Sequence, residues 1–213
     1  MPRKIVPLIT GETYHIFNRG VDKRSIFSDK VDFFRFHKSL QLFNAENKSG
    51  SIFELSFDED WINTQKPLVD IHAYCLLNNH FHLLLTQVVD NGISEFMKRI
   101  GGGYTSYFNE RFNRSGSLFQ GTFKRVHCES NEQLLYLASY INLNNKVHNR
   151  DGYSLSSFDV YTGKRIEKFI KTSLILKQYK SPNAFVHISE KTVSNIAVRR
   201  KADKEFNKAT FLE

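Results

Sequence analysis

The sequence has little cysteine and no long apolar run, and both shortages narrow what the chain can be. Two cysteines in 213 residues, Cys75 and Cys128, give no disulfide framework and no CxxC pair, which fits a reducing compartment. The early apolar stretch Ile5-Val6-Pro7-Leu8-Ile9 is too short and too interrupted for a signal peptide, and no later stretch approaches membrane-spanning length. A cytoplasmic protein without a membrane partner is therefore expected. HExxH and a carboxylate-rich cluster are also missing, which argues against a hydrolase in which a metal-bound water attacks. Internal repeats and low-complexity linkers are absent.

What the chain does have is positive charge and aromatic surface. Lys and Arg outnumber Asp and Glu by 30 to 22, a net charge of +8, and 19 of the residues are Phe. Such a surface suits a phosphate backbone and unstacked bases, although charge alone would serve a binding module as well as an enzyme. The densest basic and aromatic patch holds Arg111, Arg114, Lys124 and Arg125 with Phe119 and Phe123 between them, and a smaller one holds Lys23 and Arg24. A solvated basic face is the competing reading of both.

The stretch from Ile71 to Leu85 joins two apolar runs at Asn78-Asn79, a turn-prone pair. Its second run opens His80-Phe81-His82. Alternate side chains of a strand share a face, so the two imidazoles stand side by side while Phe81 enters the other face. That is half a metal site, and alone it is more often a pair of satisfied surface histidines.

Around this hairpin the chain alternates strand and helix patterns. Tyr14 to Gly20 reads as a first strand. Ser28 is a candidate N-cap for a helix through Phe33, Phe36, Leu40 and Phe43, with His37 on its surface or core edge. Asn44 to Gly50 reads as a turn, Ile52 to Phe57 as an edge strand, and Asp58 to Pro67, with the single Trp61, as a loop. Gly92 to Phe112 has helical spacing despite Gly101-Gly102-Gly103, which calls for a helix break, close packing or close approach of a nucleic acid strand. Phe119 to Val126 reads as a strand. Ser130 and Gln133 form a capping-box start for a helix reaching about Val147. Further on, a loop with Tyr153 and Tyr161, a short helix over 166–175, and a helix capped at Ser181 lead to a charged tail.

On the helix after Ser130, Tyr136, Tyr140 and Asn144 recur every four residues and share a face. A tyrosine and an amide from that helix, meeting two imidazoles from the sheet, would set a nucleophile beside a metal with three protein ligands. Without the histidines, the tyrosines would read as packing residues.

Five ordered segments, Tyr14-His15-Ile16-Phe17-Asn18-Arg19-Gly20, His80-Phe81-His82, Tyr107-Phe108-Asn109, Gly116 to Lys124 and Tyr140-Ile141-Asn142-Leu143-Asn144, resemble the single-tyrosine HUH transposases of the IS200 type, and in particular the REP-associated tyrosine transposases. The resemblance spans roughly residues 1 to 180. It implies an α+β, ferredoxin-like antiparallel sheet with helices packed on one face, a catalytic domain over 1–150, and a loop and helical extension over 151–213. It implies a metal-dependent enzyme that cleaves and rejoins single-stranded DNA near hairpins through a 5′-phosphotyrosine, with Mg or Mn as cofactor, working as monomer or homodimer. Residue by residue, Tyr140 matches the nucleophile and His80, His82 and Asn144 the metal ligands. Arg19, Lys23, Arg24, Arg111, Arg114, Phe119, Gln120, Lys124 and Arg125 are the expected DNA contacts. Two departures stand out: Asn145 occupies a position where the family commonly has proline, and Tyr136 one turn before Tyr140 is similar to the two-tyrosine HUH nickases. A relative that binds DNA without cleaving it is the other reading.

Overall fold

The computed structural model describes residues 7–47, 51–55, 64–147 and 152–210. Trp61, Phe57, most of the Asp58 to Pro67 loop and the end of the Asn44 to Gly50 turn lie outside these. Four strands and two helices follow each other as β1 (Thr13–Arg19), α1 (Lys30–Leu42), β2 (Val69–Leu77), β3 (His80–Gln87), α3 (Gly92–Arg111) and β4 (Lys124–His127), with the helical turn α2 (Ile52–Leu55) after α1. The sheet is antiparallel in the order β4-β1-β3-β2, and β5 (Leu155–Ser156) adds a short fifth strand beside β2. This is the expected α+β, ferredoxin-like arrangement.

The alternation of the strands sorts side chains between two faces. Tyr14, Ile16, Phe81, Leu83, Leu85, Tyr74 and Leu76 turn to one face and bury against Phe33, Phe36 and Leu40 of α1 and Phe96, Ile100 and Tyr104 of α3. Ala73, Cys75, Leu77 and Leu84 turn to the other, where α4 (Asn131–Asn142) lays down Leu134, Leu137, Ala138 and Ile141. Helices thus cover both faces, not the single face expected: the pair α1 and α3 packs on one and α4 on part of the other. The C-terminal segment joins this second core: Tyr161 of α6 (Phe158–Tyr161), Ile175 of α7 (Ser173–Leu176) and Phe185 of α8 (Pro182–Thr210) are buried in the same cluster. Tyr161 also donates its hydroxyl to the His72 carbonyl at 2.9 Å.

Local chemistry explains where the elements depart from the sequence pattern. Helix α1 is capped by Asp29, not Ser28, its Oδ1 accepting from Val31 N at 2.9 Å and Asp32 N at 3.2 Å. The segment expected as an edge strand from Ile52 is a helical turn, because Ser51 and Glu54 form a reciprocal capping box: Ser51 N donates to Glu54 Oε2 and Glu54 N to Ser51 Oγ. The strand expected from Phe119 begins only at Lys124. Before it, Gly116 and Gly121 take positive φ and the chain loops, with only Phe119 bridging to Gly20. The short helix expected from Ile166 is confined to α7, and Ile166 is exposed.

Candidate active site

The sheet register lays the site out in rows on the α4 face. One row runs Arg19 on β1 and His80 on β3; the next runs Lys124 on β4, Phe17 on β1, His82 on β3 and Cys75 on β2; the third holds His15 on β1 and Leu84 on β3. His80 and His82, two apart on one strand, bring their rings to 5.1 Å. Phe81 between them is buried in the opposite core.

Each imidazole is held through Nδ1. His80 Nδ1 lies 2.7 Å from Asn79 Oδ1, and the Asn79 amide is oriented by donating Nδ2 to the Lys23 carbonyl at 2.9 Å. Asn79 therefore presents an acceptor to which His80 Nδ1 donates, which in a neutral ring leaves the lone pair on Nε2. His82 Nδ1 lies 2.8 Å from His15 Nε2. Burial holds the His15 pKa down at about 4, so the His15 ring is neutral near pH 7. His15 lies in the first strand motif with no role evident from sequence; the fold, which sets β1 beside β3, reveals it.

Tyr140 reaches this group from α4. Its ring is edge-on to His82 at 5.7 Å and to His15 at 6.1 Å. Tyr136 stacks parallel to it one turn earlier, more exposed to solvent. Asn144 does not continue the same helix. Helix α4 ends at Asn142 with Leu143 as its cap, and α5 (Asn144–Val147) starts a new turn. Cys75 lies at this break: burial pushes its thiol up to about 12, against hydrogen bonds from the Asn145 and Asn144 backbone that pull it down. Because Cys75 is the cross-strand partner of His82, this anchors Asn144 over the histidine row. Among the described residues, Asn144 Oδ1 and Nδ2 are buried without a hydrogen-bond partner. An orphaned amide costs about 1–3 kcal/mol, a cost that a bound cation accepting the oxygen would offset.

The donor set fits a divalent ion held by two imidazole nitrogens and one amide oxygen. Among the described residues no group of three or more His, Cys, Asp or Glu side chains has metal-holding spacing, so a third donor beside the two imidazoles would have to be of another kind, as the Asn144 amide oxygen is.

The expected DNA contacts fall into different settings. Arg19 sits cross-strand from His80, its Nε buried with no hydrogen-bond partner among the described residues. Lys124 is exposed on the edge strand of the same face. Gln120 is exposed and donates its backbone N–H to the Arg19 carbonyl, and Lys23 and Arg24 are exposed in the turn after β1. Arg125 points to the opposite face from Lys124. Arg111 is engaged internally, pairing with Asp29 and with the buried Asp32. Arg114 braces its own loop through Asn109 Oδ1 and the Ser117 carbonyl. Phe119 is buried against Phe81 and Tyr104.

Residues 62–144, which hold both histidines, Tyr140 and Asn144, match the family model described as IS200-like transposase. Over that stretch the chain is similar to the IS200-like transposases. A solved structure described as a REP-associated tyrosine transposase bound to a REP hairpin is similar in fold, with a TM-score of 0.51 and 14% identity over 80% of this chain and 91% of that one. No curated protein gives a sequence match. Among the described residues, no helix is long and apolar enough to cross a membrane.

Proposed function

We propose that the chain cleaves and rejoins single-stranded DNA beside a hairpin, with Tyr140 as nucleophile and His80, His82 and Asn144 as ligands of Mg or Mn. The observation that carries the reading is the Tyr140 ring at 5.7 Å from His82, on the face where Asn144 presents a buried amide without a partner among the described residues. Hairpin DNA as the substrate draws support from the described partner of the similar transposase.

In this mechanism Arg19 and Lys124, on the same face as the histidines and both toward the β1–β4 edge of the sheet, bind the DNA backbone. Phosphate contacts of this kind position the strand without reading its sequence. Tyr140 gives its phenolic proton to water and its Oη attacks phosphorus. The P–Oη bond forms as the P–O3′ bond breaks, and the departing 3′ oxygen takes up a proton. A divalent ion held by His80, His82 and Asn144 would supply charge stabilisation to the phosphate oxygens. The product is a 5′-phosphotyrosine and a 3′ hydroxyl. Phosphodiester energy is retained in the tyrosine ester, so a second 3′ hydroxyl reverses the exchange and joins a new strand without a nucleotide cofactor.

The test is to incubate the protein with labelled single-stranded hairpin DNA from the flanks of its own gene and Mn, and to resolve products on a denaturing gel. A covalent adduct in wild type, lost in Tyr140→Phe and with chelator, supports the mechanism. An adduct that survives Tyr140→Phe transfers the role to Tyr136. Binding without an adduct on any hairpin makes the chain a non-cleaving DNA-binding relative.

A further inference from the structure

We infer that His15 is a positioning residue that sets the tautomer and ring orientation of His82, an inference that rests on the metal and tyrosine site proposed above. The contact between His15 Nε2 and His82 Nδ1, at 2.8 Å, holds a single hydrogen. If His15 donates it, the neutral His82 ring carries its own hydrogen on Nε2, which then has no lone pair for a metal. If His82 Nδ1 donates it, the lone pair is on Nε2. Only the second arrangement makes His82 a ligand through Nε2, and it requires His15 to be an acceptor with its hydrogen on Nδ1.

The packing around His15 supports that role. Its side chain is buried on the row next to that of His82 and stacks on Phe17 at 4.9 Å, while the His82 ring lies edge to edge with it at 5.0 Å, the two planes within 30° as a hydrogen bond between ring nitrogens requires. Tyr140 closes against its edge at 6.1 Å. His15 is thus fixed on three sides, and the one polar atom it turns toward His82 fixes that ring in turn. The arrangement parallels the neighbouring pair, where Asn79 Oδ1 holds His80 Nδ1 at 2.7 Å. Each candidate ligand has its own acceptor, and such outer partners are worth about 10- to 100-fold in metal affinity.

The test uses the whole chain, with the His82 tautomer read by long-range 1H–15N NMR of metal-free protein and Mn affinity read by calorimetry. Wild type is expected to show His82 protonated on Nδ1. His15→Phe keeps the stacked ring but removes the acceptor; the expected results are a mixed His82 tautomer and Mn affinity about 10- to 100-fold weaker. His15→Gln, whose amide oxygen reaches the Nε2 position, recovers most of the loss, whereas the shorter His15→Asn does not. The same His82 tautomer and the same affinity in wild type and His15→Phe overturn the inference. If His15→Phe does not fold, equal Mn affinity in the Gln and Asn variants overturns it, and a difference in favour of Gln sustains it. If wild type itself binds no Mn, the metal site falls, and the tautomer comparison still decides the part played by His15.

Discussion

The rings of Tyr136 and Tyr140 lie 6.3 Å apart and within 6° of parallel, yet only Tyr140 touches the histidines. The two phenols therefore have separable roles. Tyr136 is 46% exposed and offers its outer face as a surface on which a base can stack. Tyr136→Phe is expected to form the covalent adduct at close to the wild-type rate, since the ring remains. Tyr136→Ala should weaken single-stranded DNA binding by roughly 10-fold, in line with about 1–3 kcal/mol per stacked base. Fluorescence anisotropy with a labelled strand checks the binding, and the denaturing gel checks the adduct. Loss of the adduct in Tyr136→Phe would count against a single nucleophile.

Arg19 and His80 are cross-strand partners, and the guanidinium has no carboxylate partner among the described residues. Arg19→Gln is expected to lower the rate of adduct formation by about 100-fold, the scale for removing one donor from a developing phosphoryl charge. Binding should fall much less. The slope of log affinity against log salt should flatten by about 0.7, one phosphate contact on a single strand. An equal loss in binding and rate would make Arg19 an anchor only.

The sheet, the hairpin at Asn78-Asn79 and the two long helices were legible because their signals are local: alternation, a turn pair and helical spacing. The histidine pair was legible for the same reason, since both residues lie on one strand. The break between Tyr140 and Asn144 was not, because the every-fourth-residue spacing runs on across it, and the backbone on its far side meets a distant partner, the sulfur of Cys75, some 70 positions away. His15 was hidden for a similar reason: its partner is 67 residues on. Among the basic residues, composition could not separate Arg19, cross-strand from His80, from Arg111, whose charge is spent on Asp29 and Asp32. The difference lies in where α1 brings its acidic first turn.

The three glycines in α3 have different reasons to be there. A Cβ on Gly103 would come within 3.0 Å of the Phe43 ring, so close helix packing accounts for that position. Gly101 and Gly102 have nothing within 4 Å of such a Cβ and line an open groove with Lys98, Thr105, Phe119 and Phe123. Replacing either with Ala should stabilise the fold by about 1 kcal/mol, the helix-propensity difference, in urea unfolding. Gly103→Ala should gain less or lose stability. A loss of stability at Gly101 or Gly102 would mean that the helix there is not regular.

Asp29 and Arg111 form the link between the start of α1 and the end of α3, with Arg111 also bonded to Asp32 and Tyr107. The Arg111 hydrogen bond, ahead of the other influences, holds the Asp29 pKa down at about 2 from 3.8. A carboxylate whose folded pKa is depressed binds fewer protons folded than unfolded, so its contribution to stability is present above the unfolded value and disappears as pH falls through the folded one. The window is pH 4 to 2. Arg111→Leu should return Asp29 toward its ordinary value, visible in a carboxyl NMR titration. It should also lower the urea midpoint clearly at pH 7 and by less at pH 2, where Asp29 no longer favours the folded state. An unchanged Asp29 titration in Arg111→Leu would show that the helix N-cap hydrogen bonds from Val31 and Asp32, not the guanidinium, hold the carboxylate in its charged form.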